Sequence, residues 1–231
     1  MHKNSSLLFG ITLVILALLA LAGNLLGRTT GAPVSAFHHW PLAVVGGGLL
    51  FCIPPFLFNK TRGLGGLFIP GVPVLTTGLL LFVASATSNW HLWAIYWPLE
   101  IIGLAIGLVM AAMFLRVVWL TLPASIIGFI GLALQFSALT GQWEAWAILW
   151  PVVPFSVGLP LLLIGIFQKI DGLKLAGMIV IAFAGLAFAI MSAIIGNSSP
   201  IITIGGPILI LCVGLLLIFS AFSVKQKNIV Q

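Results

Sequence analysis

The sequence predicts an all-α polytopic integral membrane protein: eight transmembrane helices arranged as four parallel two-helix repeats, in a single membrane domain over 1–231 with both termini cytoplasmic. Three observations predict it. The first is composition: 61% of the residues are hydrophobic and 5% are charged, with a mean hydropathy of +1.30, which no soluble domain of this length would tolerate on its surface. The second is an internal echo. Trp90-x-x-Trp93-Ala94-Ile95-x-Trp97-Pro98 returns 53 residues later as Trp143-x-x-Trp146-Ala147-Ile148-x-Trp150-Pro151, and 11 of the 29 positions from Pro70 to Pro98 match their partners. The third is the placement of charge at the ends of apolar runs.

Eight apolar stretches are legible, near 7–26, 41–58, 67–85, 98–115, 120–139, 151–167, 175–195 and 202–223. Each approaches the roughly 20 residues that cross a hydrocarbon core of ~30 Å. Each is expected to be helical, because backbone amides in lipid must find partners inside their own segment. The first follows Lys3 and ends in Ala20-Leu21-Ala22, which also fits a cleavable signal peptide. Its spanning length and the repeat favour a retained helix. The even-numbered stretches open at Pro41, Pro98, Pro151 and Pro207, and proline suits a first helical turn because its missing N–H would lack a partner there anyway. Trp precedes the proline at Trp40, Trp97 and Trp150, and a basic residue follows it by 18 or 19 positions at Lys60, Arg116, Lys169 and Lys225. That distance is about one membrane thickness of helix at roughly 1.5 Å per residue.

The repeats therefore read as 1–60, 61–116, 117–169 and 170–231. Each is a pair of crossings, so successive repeats keep the same orientation and are parallel, unlike inverted transporter repeats. Lys3, Lys60, Arg62, Arg116, Lys169, Lys174, Lys225 and Lys227 fall on one side of an eight-crossing chain, and Arg28 alone falls on the other. The positive-inside rule makes the first side cytoplasmic. Basic residues scattered in this way do not form a nucleic-acid surface, so no nucleic-acid partner is expected. The cytoplasmic connections are short, which leaves activity to the bilayer or its outer face.

Few side chains carry chemistry. Trp40, Trp90, Trp93, Tyr96, Trp97, Trp143, Trp146 and Trp150 fall in or beside the outer segments. They read as an aromatic belt at headgroup level or as an outer recognition surface for a lipid, a peptide or a partner protein. Trp90, Trp93 and Trp97, three and four apart, share one helix face. Glu100 is the one acid written into an apolar run. Its place two residues after Pro98 suits a carboxylate near a helix N-terminus, and the other reading is a proton or cation site. Its equivalent in the next repeat is Val153, so the repeat does not require an acid there. His91 and Glu144 occupy equivalent outer-loop positions and read as solvated. Glu100, Gln135, His91 and Glu144 are the candidate polar or ion-site residues. His38-His39 lacks a third ligand in its loop, so no metal site is expected. Cys52 and Cys212 lie inside apolar stretches as packing residues. Asp171 reads as a solvated turn residue, and Gly46-Gly47-Gly48 and Gly103-x-x-x-Gly107 read as sites of close helix approach. With no nucleotide loop, paired carboxylates, Ser-His arrangement or Schiff-base lysine in a span, neither catalysis nor a cofactor is expected.

The unit built on Gly10, Leu13 and Asn24, then Trp40-Pro41, with Pro70, Gly78 and Trp97-Pro98, then Gly131 and Trp150-Pro151, resembles the LiaI/LiaF-like transmembrane region of bacterial envelope-stress proteins. The resemblance implies a bacterial plasma membrane and a non-enzymatic part. The expected function is that of a multi-pass protein acting through helix packing and its Trp-rich outer surface on membrane lipid, a membrane-protein partner or a second copy. The alternative is a small transporter or channel. Against that alternative stands the scarcity of polar side chains deep in the spans.

Overall fold

The computed structural model describes residues 2–30, 39–58, 61–195 and 211. Among these residues the regular structure is entirely helical. In order, the helices are α1 (His2–Thr30), α2 (Pro41–Cys52), α3 (Pro54–Leu57), α4 (Phe68–Ala86), α5 (His91–Tyr96), α6 (Pro98–Leu115), α7 (Thr121–Thr140), α8 (Trp146–Leu149), α9 (Val152–Gln168) and α10 (Asp171–Ile195), with 3-10 turns at Arg62–Leu67, Val118–Leu120 and Trp143–Ala145. The first seven apolar stretches coincide with helices. Except for Leu211, the eighth, with Pro207, Cys212, Lys225 and Lys227, lies outside the described residues, as do His38 and Lys60.

Five described helical segments are long and apolar enough to cross a membrane: Ser6–Thr29, Arg62–Ala86, Pro98–Leu115, Val118–Thr140 and Asp171–Ile195. A sixth arises if Trp143–Leu149 and Val152–Gln168, which meet at 47°, form one broken span. The second stretch is shorter than a full span, reaching from Pro41 to Leu57. It breaks at Ile53 because Pro54 and Pro55 lack N–H groups for the helical ladder. Large apolar side chains line the outside of these helices, among them Leu13, Leu18, Leu132, Phe183 and Leu186. Exposure on that scale fits lipid contact and not water.

The chain forms two compact units, Met1–Gly141 and Gln142–Gln231. In the first, α4 packs along both α2 and α6, and α6 packs along α7. Close approach depends on glycine. A Cβ at Gly48 would sit 2.7 Å from the Leu75 Cα, and one at Gly78 would sit 2.7 Å from the Val45 nitrogen. Gly103 and Gly107 do the same for α6 against Thr76 and Phe68 of α4. Of the glycine triplet, Gly46 faces Leu16 of α1 and Gly48 faces α4, while Gly47 has open space beside it. At one end of this unit Cys52, Phe68 and Ala111 are buried together, and Phe56, Phe68 and Phe114 meet edge to face or tilted, with centroids 4.9 to 5.4 Å apart. In the second unit α9 and α10 form a hairpin in which Gly158 and Gly177 bring the two backbones together beside Leu162 and Ile181.

Several hydroxyls inside the helices turn back on their own backbone. Thr12 donates to the carbonyl of Leu8, Thr76 to that of Val72 and Ser137 to that of Ala133, which satisfies each group without a partner helix.

Four stops share one geometry. Ser88, Gly141, Arg116 and Lys169 end α4, α7, α6 and α9 with φ between 52° and 70°, the left-handed region that glycine enters freely and other residues enter at a cost. After three of them the next N–H reaches back five residues: Asn89 to the Ala84 carbonyl, Val117 to that of Ala112 and Ile170 to that of Gly165. This closes the helix ends by capping carbonyls that would otherwise be orphaned.

Candidate functional site

The aromatic segments sit where one helix hands over to the next. After the Ser88 stop, Trp90 precedes α5, Trp93 and Tyr96 lie within it, and Trp97 joins it to Pro98 of α6. The N–H of Trp93 donates to the Trp90 carbonyl, and that of Trp97 to the Trp93 carbonyl, so these three rings occupy successive turns. In the second unit the same order recurs: Trp143 opens a 3-10 turn, Trp146 opens α8, and Trp150 precedes Pro151 and α9. Trp90 and Trp143 are equally exposed, at 51% and 50%, and Trp93 and Trp146 are both half-buried, whereas Trp97 is half-buried and its equivalent Trp150 exposed. Trp40 is also exposed. Side chains half in protein and half out suit rings with an apolar body and a polar N–H.

The candidate polar residues do not form one cluster. Glu100, half-buried in the first turn of α6, accepts a hydrogen bond from the Thr77 hydroxyl of α4 at 3.0 Å. Gln135 of α7 donates through Nε2 to the Ile95 carbonyl of α5 at 3.1 Å, and its Oε1 is buried without a partner. That bond ties the aromatic segment to α7. His91 and Glu144 are exposed. No hydrogen bond or ion pair joins Glu100, Gln135 and His91 to one another among the described residues.

Sequence reasoning did not find Thr77, and it named Asn24 only as part of the family resemblance. Thr77 lies 23 residues before Glu100, on a neighbouring helix. Asn24 of α1 accepts from Nε2 of His39 at 2.9 Å, fastening α1 beside the start of α2, with the other ring nitrogen buried and unpartnered. A polar residue inside an apolar run was the available signal for both, Thr77 beside Thr76 and Asn24 by itself. Cys52 is a buried free thiol. Among the described residues no group of three or more His, Cys, Asp or Glu side chains is placed to hold a metal ion.

The class that the fold defines is an all-helical protein with several helices long and apolar enough to span a membrane, carrying exposed tryptophans at its helix junctions. No protein-family model, curated protein or solved structure matches the chain.

Proposed function

We propose that this is a non-catalytic multi-pass protein of a bacterial plasma membrane, crossing eight times as four parallel two-helix repeats with both termini cytoplasmic. It acts through helix packing and its Trp-rich outer surface on membrane lipid, a membrane-protein partner or a second copy. The resemblance of its Trp-Pro units to the LiaI/LiaF-like region is what supports a role in envelope stress. The observation that carries this reading is the matched exposure of Trp90 and Trp143 at equivalent helix junctions. Exposed indoles repeated at helix ends, each with an apolar body and a polar N–H, suit rings that meet a headgroup layer or a partner. The hydroxyls of Thr12, Thr76 and Ser137 are satisfied within their own helices, so none of the three is left open to a polar solute.

A photo-crosslinking residue placed at position 90 or 143 in native membranes tests this, with position 186 on the outside of α10 as control. Discrete adducts, protein or lipid, are expected from the first two positions beyond those from the control. Adducts no different from the control would remove the aromatic surface as an acting one.

One observation favours the transporter reading. The Thr77–Glu100 pair puts a carboxylate at a helix interface, and the equivalent positions one repeat later are the apolar Ile130 and Val153, so the fold does not need it. Proteoliposome flux of protons or monovalent cations, lost on Glu100→Gln, would replace the first reading with this one.

A further inference from the structure

We infer that the left-handed stops at Arg116-Val117 and Lys169-Ile170 are docking points for anionic phospholipid headgroups. The two stops are copies, with φ and ψ of 57° and 36° at Arg116 and of 58° and 36° at Lys169, one 53-residue period apart. Glycine is the residue this conformation favours, and the chain does use glycine at the comparable stop of α7, Gly141. At the far ends of α6 and α9 it keeps a cation twice instead.

Neither cation is neutralised within its unit. The one acid in residues 1–141 is Glu100, in the opposite end turn of the 18-residue α6, about 25 Å away at the rise of a helix. Near Lys169 the nearest acid in sequence is Asp171, whose carboxylate is engaged by Lys174 at 2.7 Å. Among the described residues that is the one salt bridge.

Each cation is also flanked by exposed apolar side chains. Val117 is 42% exposed and Ile170 41%, and Trp119 and Phe167 are exposed beside them. A positive charge ringed by apolar groups at the end of a spanning helix matches one ligand in both respects: phosphate for the cation, glycerol backbone and acyl chain for its surroundings. No acid lies near Arg116 in the sequence, and beside Lys169 the charge of Asp171 is offset by Lys174, so each site keeps a net positive charge, which selects anionic over zwitterionic lipid. The inference rests on the reading of α6 and α9 as membrane-spanning. It does not rest on the aromatic surface, which lies at the other end of both helices.

The test uses the full chain purified in detergent, offered equal amounts of dioleoyl-phosphatidylglycerol and dioleoyl-phosphatidylcholine, with retained lipid counted by native mass spectrometry. Phosphatidylglycerol should be retained in preference, by about fivefold per stop. The double variant Arg116→Gly, Lys169→Gly fits the backbone of both stops and should lose the preference with no fall in thermal midpoint, whereas Arg116→Lys, Lys169→Arg should keep it. Equal retention of the two lipids by the wild type, or an undiminished preference in the glycine variant, would overturn the inference and leave the spanning reading standing. Retention of neither lipid would remove both. Displacement of the lipid by free glycerol phosphate would replace the lipid site with a simple phosphate site.

Discussion

Adjacent glycines in α2 should respond to the same substitution with opposite signs. At Gly48 a new Cβ would lie 2.7 Å from both the Cα and the nitrogen of Leu75 and 2.8 Å from its Cβ. Ordinary carbon contacts sit at ~3.5–4.0 Å, so α2 must move off α4 by about 1 Å, enough to forfeit a quarter to a half of each dispersion contact across the seam. Leu75 cannot turn aside, because two of the three atoms are backbone. Overpacking of this kind costs about 1–3 kcal/mol, and alanine's better helix propensity returns up to ~1 kcal/mol, leaving Gly48→Ala destabilised by up to about 2 kcal/mol. At Gly47 nothing lies within 4 Å of the new atom, so only the propensity term remains and Gly47→Ala should be neutral or more stable by ~0.5–1 kcal/mol. Equilibrium unfolding in mixed dodecyl maltoside and SDS micelles, followed by far-UV circular dichroism, measures both. Equal shifts in the same direction would refute the idea that glycine in this helix is read by what faces it.

A double-mutant cycle on Thr77→Val and Glu100→Leu, each of which removes the hydrogen bond, should give a coupling of about 0.6 kcal/mol, and not above ~1.7 kcal/mol, the range for hydrogen bonds between helices in a membrane; a coupling of zero by the same unfolding assay would mean the pair does not interact. Arg116→Gly or Lys169→Gly should each raise stability in neutral detergent by about 1 kcal/mol through relief of the left-handed backbone, and a loss of stability would show that the cation itself caps the helix. In a background without Cys52 and Cys212, His91→Cys and Glu144→Cys should react with an impermeant maleimide from outside the cell, and Gly172→Cys should not. Labelling of His91→Cys and Glu144→Cys from opposite sides would exclude parallel repeats.

The helices were legible because their causes are local. An apolar run in lipid has no other way to satisfy its amides, and a proline in a first turn marks where such a run begins, so Pro41 and Pro98 announced α2 and α6 and the Trp-Pro echo announced α9. The same local logic, applied to Pro54-Pro55, would have shortened the second stretch, where composition alone extended it to residue 58. The aromatic junctions were likewise visible as sequence, and Trp90 and Trp143 stand exposed at them.

Partnership was decided only in three dimensions. Thr77 with Glu100 and Gln135 with Ile95 join residues 23 and 40 positions apart, and no propensity or periodicity specifies which face of one apolar helix meets which face of another. Gly47 and Gly48 are identical in sequence terms, yet only one touches α4. The left-handed backbone at Arg116 and Lys169 was hidden for a related reason: a basic residue after an apolar run signals topology, while the conformation it adopts depends on how the helix end is capped and where the chain must turn next.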